Sequence, residues 1–184
     1  MCRKECASLT EIREKLGQLK GLEKRDFLNC ESIPSGIPRG MICEITGTAR
    51  TEWLLSFLKQ NPSLNTFWIE EQLTILPTAI QQRGIELSNI LMAEAGGKLF
   101  QALRKALRSK LFDCLVLPGA IEEVKMLKAL QLFARESNAI VFFLSKTIKN
   151  AWAIPLQIEV NWNDGAKQYT VEILKSKFSR SEGL

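Results

Sequence analysis

Between residues 41 and 144, five short apolar runs alternate with four segments whose apolar residues recur at helical spacing. A strand, a helix and another strand in succession build a parallel sheet with helices on its faces, and few other architectures accommodate that order. Strands are expected at residues 41–45, 66–69, 89–92, 112–117 and 139–144. Past Asp113, the run Cys114-Leu115-Val116-Leu117 is apolar on both faces, as a strand buried between two helical layers must be. Helices are expected at 52–58, 73–83, 98–109 and 122–137, the second closed by Gly84 as a C-cap. From Leu156 the pattern changes to strict alternation. Leu156-Gln157-Ile158-Glu159-Val160-Asn161-Trp162 and Tyr169-Thr170-Val171-Glu172-Ile173-Leu174 flank Asn163-Asp164-Gly165, which reads as an antiparallel hairpin at the sheet edge.

The two ends read differently. Residues 8–27 carry Leu9, Ile12, Leu16, Leu19 and Leu22 at helical spacing, with Ser8 or Thr10 as the cap. This amphipathic helix either packs on its own domain or binds a partner. A breaker-rich stretch, residues 32–40, joins it to the rest. The chain therefore divides into an N-terminal helix and linker (1–36), an α/β domain (37–178) and a polar tail (179–184).

Composition narrows the chemistry. Hydrophobic residues make up 46% and charged residues 24% of the 184, ordinary values for a globular domain. The formal charge of +5 suits a nucleic-acid or acidic-protein partner without demanding one. No stretch approaches the roughly 20 apolar residues of a membrane span, and no apolar signal core follows Met1, so a cytoplasmic, membrane-free protein is expected. The five cysteines contain no C-x-x-C pair, and Cys43 and Cys114 lie in apolar runs as small core residues. Cys2 and Cys6 lack any histidine to complete a zinc site, so no metal is expected. The absence of histidine also excludes Ser-His and Cys-His nucleophilic mechanisms.

In a nucleotide-binding α/β domain, the loop after the first strand cradles phosphates with backbone N–H groups and a helix N-terminus. Here it reads Ile45-Thr46-Gly47-Thr48-Ala49-Arg50-Thr51-Glu52. Gly47 supplies one glycine of a P-loop, but the second glycine and the G-K-[ST] tripeptide are missing. Arg50 and Thr51 imitate the Lys-Thr pair poorly, because a guanidinium does not fit the nest of an ammonium. A second part of the same machinery, the metal-binding Asp after the fourth strand, is replaced by Pro118. Asp113 sits at the wrong end of that strand. Hydrolysis and a bound cofactor are therefore not expected.

With this layout, residues 37–178 resemble the RecA recombinase core. The opening Ile37-Pro38-Arg39-Gly40-Met41-Ile42-Cys43-Glu44-Ile45-Thr46-Gly47 is similar to the approach to its first core strand, and Phe67-Trp68-Ile69-Glu70-Glu71 to its second. Either Glu70 or Glu71 would stand near the family's water-activating glutamate. Val171-Glu172-Ile173-Leu174-Lys175-Ser176-Lys177 resembles the strand whose two lysines, one residue apart, reach the neighbouring subunit's nucleotide in RecA filaments. Read without the family, Lys175 and Lys177 are edge-strand lysines that discourage aggregation.

Within the group, the resemblance is to ImuA-type proteins and the related SulA division inhibitors. It is carried by Gln81-Gln82-Arg83-Gly84-Ile85-Glu86-Leu87 with Asn89-Ile90-Leu91, by the helix Phe100-Gln101-Ala102-Leu103-Arg104-Lys105-Ala106-Leu107-Arg108-Ser109, and by Ala129-Leu130-Gln131-Leu132-Phe133-Ala134. The resemblance implies a RecA-like fold and a non-catalytic adaptor of the SOS translesion mutasome, binding RecA, error-prone polymerase subunits, or DNA. Two other functions stay open: a SulA-like inhibitor of the tubulin-like division protein, and a weakly active RecA-type ATPase. Partner or DNA contacts are expected at Lys175 and Lys177, or at Arg104, Lys105, Arg108 and Lys110. The latter group also fits an ordinary solvated helix face.

Overall fold

The structure, a computed structural model, describes residues 26–119, 121, 123–149 and 152–177. The N-terminal helix expected at 8–27 lies outside these residues but for its last two positions, and so does the polar tail. Two residues, β1 (Phe27–Leu28), pair antiparallel with β2 (Ile37–Pro38). The rest is one seven-stranded sheet, built from β3 (Met41–Thr46), β4 (Thr66–Glu70), β5 (Ile90–Glu94), β6 (Cys114–Pro118), β7 (Ile140–Leu144), β8 (Leu156–Asn163) and β9 (Gln168–Ser176). Their spatial order is β5-β4-β6-β7-β3-β8-β9. All neighbours run parallel except β8 and β9, which form the antiparallel hairpin.

Strand alternation sends side chains to two separate cores. On one face, Met41, Cys43 and Ile45 of β3 and Phe142 of β7 meet α1 (Arg50–Gln60), which contributes Trp53, Leu54 and Phe57. The Phe57 ring meets Phe142 edge-on, with centroids 5.1 Å apart. On the other face, Ile42, Leu115, Val141 and Phe143 pack against α3 (Leu99–Ser109) and α4 (Val124–Ser137), through Leu103, Leu107, Leu127 and Leu130. The two helices stop at residues in the left-handed region, Lys110 and Asn138, both at φ 55°.

Two expectations from the sequence need correction. The second helix, expected over 73–83, is only α2 (Pro77–Gln81). Pro77 has no N–H to donate to residue 73, and it pushes Leu76 into extended backbone, so the helix begins at the proline. The breaker-rich stretch read as a linker is packed onto the domain. Ile33 and Ile37 are buried, Trp53 Nε1 donates to Ser32 Oγ (2.7 Å), and the amide of Glu31 donates to Gln60 Oε1 (2.9 Å). Among the described residues, no helix is long and apolar enough to cross a membrane.

Candidate functional site

The loop that follows β3 meets the hairpin. Gly47 adopts φ +93°, and a β-carbon there would lie 2.2 Å from the carbonyl oxygen of Val160. The next two amides are both committed. Thr48 N–H donates to Asn161 Oδ1 (3.2 Å), and Ala49 N–H donates to the Val160 carbonyl (3.0 Å). In return, Trp162 N–H donates to Thr48 Oγ1 (3.0 Å). The donors that would have to face a phosphate are thus turned onto β8. Arg50 does not reach outward either; its guanidinium donates to the Gly47 carbonyl (2.8 Å). Thr51 is half-buried in the first turn of α1.

Of the acidic residues singled out in the sequence, Glu52, Glu70 and Asp113 are held by protein partners. Glu52 is engaged by Arg83, whose Nε donates at 2.8 Å and whose second nitrogen also contacts the carboxylate. Glu52 holds that guanidinium's pKa above its ordinary value. Glu70 is buried and accepts from Trp68 Nε1 (2.7 Å) and from the amide and hydroxyl of Thr74 (2.5 and 2.7 Å). Glu71 is exposed beside it. Asp113, at the N-terminal end of β6, pairs with Arg39 (2.7 Å) and caps the Asn65 amide (3.1 Å). Pro118 closes β6 at its other end, beside Leu144 of β7.

Lys175 and Lys177 lie at the opposite end of β8 from Gly47. Lys175 pairs across the hairpin with Gln157, and Lys177 N–H donates to the Pro155 carbonyl (3.0 Å). From there to Val160 is three to five strand residues, about 10–16 Å. Burial, and then the nearby Lys177 charge, lower the Lys175 pKa, while Glu44 acts the other way. The basic group on α3 is separate again, on the sheet's other face. Arg104, Lys105, Arg108 and Lys110 are all exposed. Arg104 and Arg108 stack over the Phe133 ring of α4, at 5.9 and 5.2 Å from its centroid. The three expected groups therefore do not converge on one site.

Two features emerge only from the fold. Glu44, in the centre of the sheet, is fully buried, and its oxygens accept from Ser145 Oγ (2.8 Å), Lys149 N–H (3.1 Å) and Gln157 Nε2 (2.6 Å). It thereby fastens the crossover that leads from β7 to β8. Trp152 of the same crossover is 61% exposed, with two lysine ammoniums over its ring. Trp162 is 47% exposed and lines an open groove of about 700 Å³ with Tyr169, Leu55, Lys59, Glu52 and Arg83. Cys43 and Cys114 are core residues as expected. Burial pushes both thiols up, that of Cys114 to about 12. Among the described residues, no cluster of three or more Cys, Asp or Glu side chains is arranged to hold a metal ion. No protein-family model and no curated protein matches the chain.

Proposed function

We propose that this chain is a RecA-like adaptor of DNA-damage tolerance, an ImuA-type component of the SOS translesion mutasome. It works in the cytoplasm by binding RecA or error-prone polymerase subunits, and DNA through its lysines, without turning over a nucleotide. The observation that carries the non-catalytic part is the commitment of the Thr48 and Ala49 amides to Asn161 and Val160. A phosphate entering there would have to displace both bonds, with Gly47 wedged against β8. The parallel sheet closed by a hairpin that ends in Lys175 and Lys177 supports the RecA-like part.

The test is a pull-down with the tagged full chain, presented separately with RecA and with the mutasome polymerase subunits. Retention of at least one of them is expected, with ATP hydrolysis at background in the presence of Mg²⁺ and single-stranded DNA. Retention of none of them, or DNA-stimulated hydrolysis above background, would sink the reading.

A further inference from the structure

An indole left in water is an opportunity for contact, because an aromatic side chain of this size buries 150–250 Å² when covered. Trp152 is held in that state by its neighbours. Lys128 Nζ, from α4, stands 4.8 Å from the ring centroid, and Lys177 Nζ, past the end of β9, stands 5.5 Å from it. Lys177 Nζ also donates to the Trp152 carbonyl (2.5 Å), which fixes the backbone that carries the ring. The ring is thus preoriented, so a partner meeting it loses little of the entropy that ordering a loose side chain costs.

The surroundings are apolar as well as basic. Val124, one helical turn before Lys128 on α4, is 45% exposed, and Ile148 of the crossover is 46% exposed. Lys149, next to Ile148, donates to the Ile121 carbonyl (3.0 Å), which lays the crossover beside the start of α4. Lys125, Lys128, Lys146 and Lys177 are all exposed, and Glu123, just before the helix, is an exposed acidic residue among those described. Glu44, inside the sheet, accepts hydrogen bonds from Ser145, Lys149 and Gln157. An aromatic anchor with aliphatic neighbours and a charged rim is the anatomy of a protein-binding hot spot.

We propose that the surface formed by Trp152, Val124, Ile148, Lys128 and Lys177 docks an acidic protein segment bearing aliphatic or aromatic side chains. Single-stranded nucleic acid would use the lysines and the indole, but it would leave Val124 and Ile148 without a role. An acidic amphipathic segment uses all five. The inference rests on the partner-binding part of the function proposed above and gives it a surface.

The experiment is fluorescence anisotropy of a labelled peptide alternating Glu with Leu and Phe, titrated with the full chain. An oligothymidylate of matched charge is titrated beside it. The peptide is expected to bind more tightly than the oligonucleotide and to weaken with salt. Trp152→Ala and Lys128→Glu are each expected to cost about tenfold or more in affinity, and Trp152→Phe much less. Unchanged melting temperatures of the variants show that folding is intact. Absence of peptide binding, binding indifferent to these substitutions, or tighter binding of the oligonucleotide would overturn the assignment. RecA or polymerase retention undiminished by Trp152→Ala would overturn it too, while leaving the adaptor reading standing. Peptide binding at this surface with neither RecA nor polymerase retained would do the reverse.

Discussion

Gly47 occupies a backbone region that side chains rarely adopt, and the space its β-carbon would need holds the Val160 carbonyl. A lone glycine after the first core strand reads from sequence as the remnant of a phosphate loop. In the fold it is what lets the loop lie against β8. Gly47→Ala is therefore expected to destabilise the protein by about 2–4 kcal/mol, combining positive-φ strain with a steric shift. Urea unfolding of the two proteins checks it; a cost below about 1 kcal/mol would mean that the loop relaxes freely. What the sequence reveals at this scale is identity: no G-K-[ST], no histidine, Pro118 where a carboxylate is needed. What it hides is pairing. Thr48 and Asn161 are 113 residues apart, so the bond that occupies the loop amide has no local trace. The lysines over the Trp152 ring, Lys128 and Lys177, likewise come from two other elements.

The elements are legible where one local rule acts alone. β6 and β7 are unbroken apolar runs, β3 is one interrupted by Glu44, and the hairpin alternates about Asn163-Asp164-Gly165, so their positions follow from pattern. At α2 two rules collide. Apolar spacing favoured a helix over 73–83, while Pro77 inside it set the true start, and the backbone constraint prevailed. The crossover from β7 to β8 shows no periodicity at all, because its order comes from Glu44 beneath it. Glu44→Ala leaves the Lys149 amide and the Ser145 hydroxyl without their acceptor, and Gln157 Nε2 with the Lys149 carbonyl alone. An expected cost of about 3–5 kcal/mol follows, with faster amide exchange over residues 145–149. Glu44→Gln is expected to cost much less. Its carbonyl can accept from Gln157 and Lys149 while its amide donates to Ser145, whose hydroxyl serves in either role. Equal losses from both variants would refute the anchoring role and point to volume alone.

Across the whole molecule, a parallel sheet with helices on both faces is legible from the order of strand and helix segments. The strand order is not, since it depends on which edge each crossover takes. That order decides the functional geometry. Placing β8 beside β3 turns Val160, Asn161 and Trp162 onto the loop after β3, and it sends Lys175 and Lys177 to the far end of the hairpin. A nucleotide would thus have to enter against a docked element of the fold. It would break two backbone–hairpin bonds worth about 1 kcal/mol each, and Pro118 brings no carboxylate for Mg²⁺. A ligand present at a hundred times its dissociation constant stabilises a protein by about 2.7 kcal/mol, or about 5–10 °C for a domain of this size. With millimolar MgATP, a shift below about 1 °C is expected here, which corresponds to a stabilisation of at most about 0.5 kcal/mol. Differential scanning fluorimetry with and without MgATP reads it directly. A rise of several degrees would require the loop to release β8 and would place a nucleotide where the hairpin now lies. In that event Asn161→Ala, which frees the Thr48 amide, should increase the shift further. If the loop stays docked, Asn161→Ala is expected to lower stability by about 1 kcal/mol and to leave the response to MgATP unchanged.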